Sequence, residues 1–207
     1  MRRVVIAGGL WLGLCASAAA QTAAADRPGP YVIDVRGTTI SLPQDPSFYP
    51  PVSSTTAVPS RGWGIDAGAH VYPLQLGAAR LGLGGMLLRA RGTVSFESQP
   101  AVAALVTTVT PQVSVNFGSR AGWSYLSAGI GRATMTTRIS ASGTSPARLV
   151  DGGARSSMNV GGGARWFARS RLAFTFDVRF HMVRAGGDVT PTPGTTLVAV
   201  SAGISLR

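Results

Sequence analysis

The sequence predicts an all-β fold, an up-and-down antiparallel transmembrane β-barrel of about eight strands. Three observations predict it. First, apolar and polar residues alternate with a period of two, the period of strands. Leu172, Phe174, Phe176, Val178, Phe180 and Met182 share one parity, and Ala173, Thr175, Asp177, Arg179 and His181 share the other. Second, the breaks between alternating stretches are long after the first, third, fifth and seventh and short after the second, fourth and sixth. A barrel whose two ends face different environments is built that way. Third, the polar faces hold Gly, Ser, Thr, Asn, His and charges of both signs. A solvated exterior draws on Lys and Glu, yet the chain has no lysine and one glutamate, Glu97.

Residues 1–20 read as a secretory signal peptide. Arg2 and Arg3 make its positive start, 4–14 its apolar centre, and Ala18-Ala19-Ala20 its small-residue cleavage pattern. That apolar run is too short to span a bilayer, and no later stretch reaches the length of a transmembrane helix. Residues 21–29 form a short lead-in, and 30–207 the barrel domain.

The first strand is expected near 31–42, with Tyr31, Ile33 and Val35 opposite Asp34, Arg36 and Thr38. A break rich in Pro, Ser and Thr covers 43–60. The second strand, near 62–72, sets Trp63, Ile65 and Val71 against Asp66, His70 and Tyr72. The third, near 79–92, carries Leu81, Leu83 and Leu87 on its oily face, and Arg89 and Arg91 follow on the same parity. A bulge, or emergence from the apolar zone, accounts for them. In the fourth, near 104–117, Leu105, Val109, Val113, Val115 and Phe117 oppose Thr108, Thr110, Gln112, Ser114 and Asn116. The fifth, near 123–138, has Leu126, Ala128 and Ile130 on its oily side, before a polar break over 139–155. The sixth, near 158–167, turns tightly into the seventh at 172–184. The eighth, near 195–207, follows the break at 185–194.

Composition narrows the function classes. With 45% apolar and 13% charged residues, the chain is not disordered. Its net charge of +11 invites a nucleic-acid reading. However, the arginines are scattered and form no basic cluster interleaved with aromatics, so no nucleic-acid partner is expected. Lipopolysaccharide phosphates are the more plausible acidic neighbour of an exported basic protein. The single cysteine, Cys15, lies in the signal segment, so the mature chain holds neither a disulfide nor a thiolate metal site.

Aromatic residues gather at the short-turn ends: Tyr31, Tyr72, Phe117, Trp123, Tyr125, Trp166 and Phe167. Such rings favour the hydrocarbon–water boundary, so they are expected to form an interfacial girdle with the oily faces outward. The runner-up fold is a soluble periplasmic barrel of lipocalin type, with its oil inside.

Three stretches carry a family resemblance: Tyr125-Leu-Ser-Ala-Gly-Ile-Gly131, Asn159-Val-Gly-Gly-Gly-Ala-Arg165 followed by 172–180, and the closing 200–206. Over about 31–207 the chain resembles the small eight-stranded outer-membrane barrels of the OmpA/OmpX type. The resemblance implies outer-membrane lipid, lipopolysaccharide and the barrel insertion machinery as partners, in a Gram-negative-type envelope. The closing strand resembles the family's assembly signal, with Arg207 where the family carries a terminal Phe. No peptidoglycan-binding domain follows, so a wall-tethering role is not implied.

Asp34, Arg36, Asp66, His70, Arg132, Arg165, Asp177, Arg179 and His181, with Gln112 and Asn116, are expected inside a narrow lumen. There they would pair across it, since unpaired buried charges are costly. Arg165 and Asp177 are plausible diagonal neighbours across the tight turn. A lipid A-modifying enzyme would need a nucleophile, a base such as His70 or His181, and an orienting acid in contact. No local pairing of that kind appears. Two histidines on distant strands give no metal spacing, and the glycine runs lack the Lys-Ser/Thr of a phosphate loop. No catalytic residue, cofactor or metal is expected. The expected role is non-enzymatic, structural or binding through the long loops, with a narrow solute channel as the alternative.

Overall fold

The computed structural model describes residues 29–49, 57–96, 99–119, 121–141, 146–186 and 193–207. The expected signal peptide, with Cys15, and residues 21–28 of the lead-in lie outside the described residues. Eight strands run in chain order: β1 (Tyr31–Ser41), β2 (Arg61–Leu76), β3 (Ala79–Phe96), β4 (Gln99–Gly118), β5 (Gly122–Ile139), β6 (Arg148–Phe167), β7 (Leu172–Val183) and β8 (Thr195–Leu206). Each pairs antiparallel with the next, and β8 closes on β1 from Ile33↔Leu206 to Ile40↔Ala199. Closure pairs the backbone all round and leaves no edge, as hydrocarbon demands.

The alternation resolves into two faces. In β1, Val32, Asp34, Arg36, Thr38 and Ile40 point inward and are buried. Large apolar side chains point outward on every strand, with Ile130 at 70% and Phe174 at 64% exposed. Such a continuous apolar exterior is a lipid-facing belt, so the fold is a transmembrane barrel and not the oil-inside alternative.

Two expected breaks are shorter than predicted. β3 continues to Phe96 and β4 begins at Gln99, so the third break is a hairpin whose arms stay paired through Thr93↔Ala103 and Val94↔Val102. β6 begins at Arg148 and pairs with β5 as far as Ile139. Beyond the belt, a ladder needs backbone pairing and no oily outer face, so the alternation fades while the strand goes on. The wall is consequently uneven: β2 to β6 have 16 to 20 residues, whereas β1, β7 and β8 have 11 or 12. About ten suffice to cross when tilted, so the surplus of β3 to β6 stands clear at the long-break end.

The interior is layered. At the short-turn end Val32, Tyr72 and Trp123 pack together with Phe167 against them. At the long-break end an apolar layer joins Ile40, Leu88, Val106 and Leu197 to Leu42, Phe48 and Tyr49. The last three come from the break after β1, expected as a plain loop. A short 3-10 turn at Pro46–Phe48, capped by the Asp45 carboxylate accepting the Ser47 N–H at 2.8 Å, drives that segment into the barrel mouth. Tyr49 then donates to the Pro43 carbonyl at 2.7 Å. The polar layer lies between these two caps.

Candidate functional site

The middle of the lumen holds a connected set of three aspartates and three arginines. Arg36 and Asp66 face each other in register on β1 and β2, and their side chains meet at 2.8 Å. Arg165 of β6 reaches Asp34 of β1 through two hydrogen bonds, 2.8 and 2.6 Å, and the Ser205 hydroxyl also donates to Asp34. Arg179 grips Asp177, its neighbour two residues away on β7, at 3.2 and 2.8 Å.

Neutral groups join these pairs into one network. Tyr125 receives a hydrogen bond from Arg36 at 2.7 Å and donates one to Asp177 at 2.7 Å. The Arg165 guanidinium lies over the Tyr125 ring, 4.0 Å from its centre. Arg179 also donates to Ser127 and to the Asn159 side-chain oxygen, which Gln112 reaches from β4. The Ser201 hydroxyl lies between Thr38 and Asp66. β3 supplies the Met86 sulfur, 3.9 Å from both Arg36 and Gln112. All eight strands therefore meet at this layer.

Glycines make the room. A Cβ on Gly84 would fall 2.6 Å from the His70 ring, and one on Gly163 would fall 2.8 Å from the Tyr125 hydroxyl. Small inward residues on β3 and β6 thus admit large partners from β2 and β5. In a medium of low dielectric, unpaired charge is expensive, and matched charge is tolerated where close geometry and further hydrogen bonds offset its desolvation. Here three carboxylates match three guanidinium groups, and this layer contributes nothing to the net charge.

The structure sorts the expected lumen residues. Asp34, Arg36, Asp66, Arg165, Asp177 and Arg179 all join the network, with Gln112 attached to it. Asn116 is buried and bonds to Ser114. His70 and His181 are buried and inward, and neither ring makes a hydrogen bond among the described residues. Arg132 faces outward: it shares the parity of Leu126, Ala128 and Ile130, so the lumen assignment is corrected by that parity. Arg165 stands opposite Thr175 and so diagonal to Asp177, as expected, but the long Arg165 side chain crosses the lumen to Asp34 and Asp177 pairs with Arg179.

The expected girdle divides. Tyr31, Phe117 and Trp166 are exposed on the outer surface. Tyr72, Trp123 and Tyr125 point inward, because they share parity with His70 and Ser127 and not with the oily face. Phe167 packs on Trp123 at 5.1 Å, Tyr72 meets Trp123 edge-on at 5.7 Å, and Arg207 lies 3.9 Å over the Phe167 ring. These rings plug the short-turn mouth. The sequence shows clustering at that end, but the plug is visible only when each ring's parity is followed.

No cluster of potential metal ligands occurs among the described residues. Both histidines face the lumen, so neither reaches a lipid at the outer rim.

No protein-family model and no curated protein matches the chain. Solved structures do. Neisserial surface protein A aligns with a TM-score of 0.54 at 10% identity, over 86% of this chain and 97% of its own. Ail, the attachment invasion locus protein of Yersinia pestis, solved with the heparin analogue sucrose octasulfate, aligns with a TM-score of 0.50 at 10% identity, over 85% and 96%. At such identity the likeness is one of architecture, and it agrees with the closed ring and the lipid-facing belt: this chain is similar to the small eight-stranded outer-membrane β-barrels and has their fold.

Proposed function

We propose that this chain is an outer-membrane β-barrel, exported by the signal segment 1–20 and inserted by the barrel assembly machinery, that works without catalysis as a scaffold for binding at the cell surface. The filled lumen carries the reading. Three ion pairs occupy its middle, aromatic rings close one mouth, and the Phe48–Tyr49 segment closes the other. Such an interior offers no path for solute, which moves function to the exterior and to the tall wall of β3 to β6. Rigid scaffolds commonly carry binding there.

Charge supports the same placement. With the interior pairs neutral, the excess arginine lies outside, where Arg61, Arg89, Arg91, Arg132, Arg138 and Arg148 are exposed toward the long-break end. Outer-leaflet lipopolysaccharide is the anionic partner nearest to such a surface, and the polyanion held by Ail is of related chemistry.

The test combines fractionation, SDS gels and planar bilayers. The protein is expected in the outer membrane, migrating differently before and after boiling, with no stepwise conductance. Recovery in the soluble periplasmic fraction would overturn the location, and reproducible conductance steps would favour the narrow channel.

A further inference from the structure

The outer wall over β3, β4 and β5 is concave. Gly85 and Pro111 face each other in register on the lipid side, and Ala128 lies next to them. None of the three sends a long side chain outward. Larger neighbours, Leu83, Val113, Ile130 and Met158, rise around a groove of about 660 Å³. It is continued toward the short turns by a second hollow of about 330 Å³ beside Leu81 and Leu126. Pro111 deepens the break in relief. It has no N–H to give β5, and the ladder there passes from Val109↔Arg132 to Gln112↔Gly129 without the two pairs between.

Three arginines stand at the long-break end of the same wall. Arg89 and Arg91 follow Leu83 and Leu87 on β3, and Arg132 follows Ile130 on β5. Among the described residues none of them forms an ion pair, since the salt bridges all lie in the lumen. Arginine on a lipid face is costly at mid-bilayer and nearly free at headgroup depth, so this row marks the level of the headgroups. Arg89 and Arg132 are two strands apart, roughly 10 Å, and one same-face step out of line, roughly 7 Å. The pair is spaced to bracket a headgroup with more than one anionic group. The planar guanidinium fork matches phosphate oxygens two at a time.

We propose that the β3–β5 wall holds one lipopolysaccharide molecule, its lipid A phosphates on Arg89, Arg91 and Arg132 and an acyl chain in the groove floored by Pro111 and Ala128, with Gly85 at its edge. The inference rests on the proposed outer-membrane location, which puts the long-break end in the lipopolysaccharide leaflet. Phosphate on sugar and acyl chain on dent are matched by one ligand in one orientation.

The experiment measures lipopolysaccharide carried by protein purified from outer membranes in mild detergent. It then measures rebinding of rough lipopolysaccharide, of dephosphorylated lipid A and of phosphatidylglycerol. The unsubstituted protein is expected to keep about one lipopolysaccharide per chain. Arg89→Gln with Arg132→Gln should weaken rebinding about tenfold or more, because charge-assisted bonds to phosphate are lost. Gly85→Leu should weaken it too, because a bulky side chain opposite Pro111 crowds the edge of the dent. The nearest backbone atom to a Cβ there is 3.6 Å away, so the side chain enters without displacing the wall. Arg171→Gln, at the opposite end, should leave rebinding unchanged. Equal retention by the arginine or glycine variant, or equal binding of dephosphorylated lipid A or phosphatidylglycerol, would overturn the site. The boiled-against-unboiled gel shift is scored for every variant, so a misfolded barrel is recognised, and Ala128→Leu then replaces the one lost. An unsubstituted protein outside the outer membrane would instead strike down the location.

Discussion

Arg165 and Asp34 clasp each other through two hydrogen bonds from strands that are not neighbours, 131 residues apart in sequence. Both side chains are about 1% exposed. The clasp ties β6 to β1 across the lumen, a stay that no ladder bond supplies.

Removing one partner should therefore be severe. Arg165→Ala leaves the Asp34 carboxylate buried and unmatched, at about 3–5 kcal/mol. Urea unfolding in detergent micelles should show this as a lowered midpoint. Asp34→Asn combined with Arg165→Met should cost less than the sum of the single changes. Strict additivity would mean that the two side chains do not interact.

Tyr125 joins Arg36 to Asp177 through its hydroxyl alone. Tyr125→Phe keeps the ring under Arg165 and removes both bonds to charged groups. The expected loss is about 2–4 kcal/mol, read from the same unfolding curve. Unchanged stability would show that Arg36 and Asp177 are sufficiently matched by their 3.7 Å approach.

Gly84 cannot be enlarged. A Cβ there meets the Ala69 carbonyl as well as the His70 ring, and the carbonyl belongs to the wall. Gly84→Val should reduce the fraction that reaches the heat-modifiable form during refolding. Gly84→Val paired with His70→Ala should recover little of it, because the backbone obstacle remains. Full recovery would make the ring the whole obstacle.

The mouth plug should loosen in alkali. Burial pushes the Tyr49 phenol above its ordinary value of 10.0. A released plug therefore loses its proton first as pH rises past that value, and the seated plug loses stability from there upward. Below that pH the seated form is unaffected. Protease cleavage within 43–60 should accelerate above about pH 10, and Tyr49→Phe should flatten that dependence. A cleavage rate independent of pH in the unsubstituted protein would mean that Tyr49 does not hold the plug.

Much of this fold is legible in the sequence because a strand in a barrel has two faces of opposite chemistry. Leu172 to Met182 alternate without a slip, and their faces are as read. Arg89 and Arg91 break the pattern of β3 on the outer face, and the ladder runs past both without a shift of register, so a bulge at that point, one of the two reasons entertained from sequence, is not the cause. What was not legible depends on distance. Parity states that Arg165 points inward, but not that its long side chain bypasses Asp177 for Asp34. Tyr72 and Trp123 sit at the expected end, but on the inner face. Phe48 and Tyr49 carry no periodic signal, since a single tight turn and not a strand brings them into the mouth.

The network also crosses the seam where the last strand meets the first. Asp34 bonds Ser205, and Thr38 bonds Ser201. Until β8 docks, those partners are absent and β1 and β7 each present an open edge. Ring closure therefore also supplies the hydroxyls that complete the hydrogen bonding of Asp34 and Thr38, from the final twelve-residue strand. A chain short of its last strand keeps all six charged groups of the network but lacks a sealed wall and the serine hydroxyls that bind Asp34, Thr38 and Asp66, and only the finished ring is compatible with oil on every side.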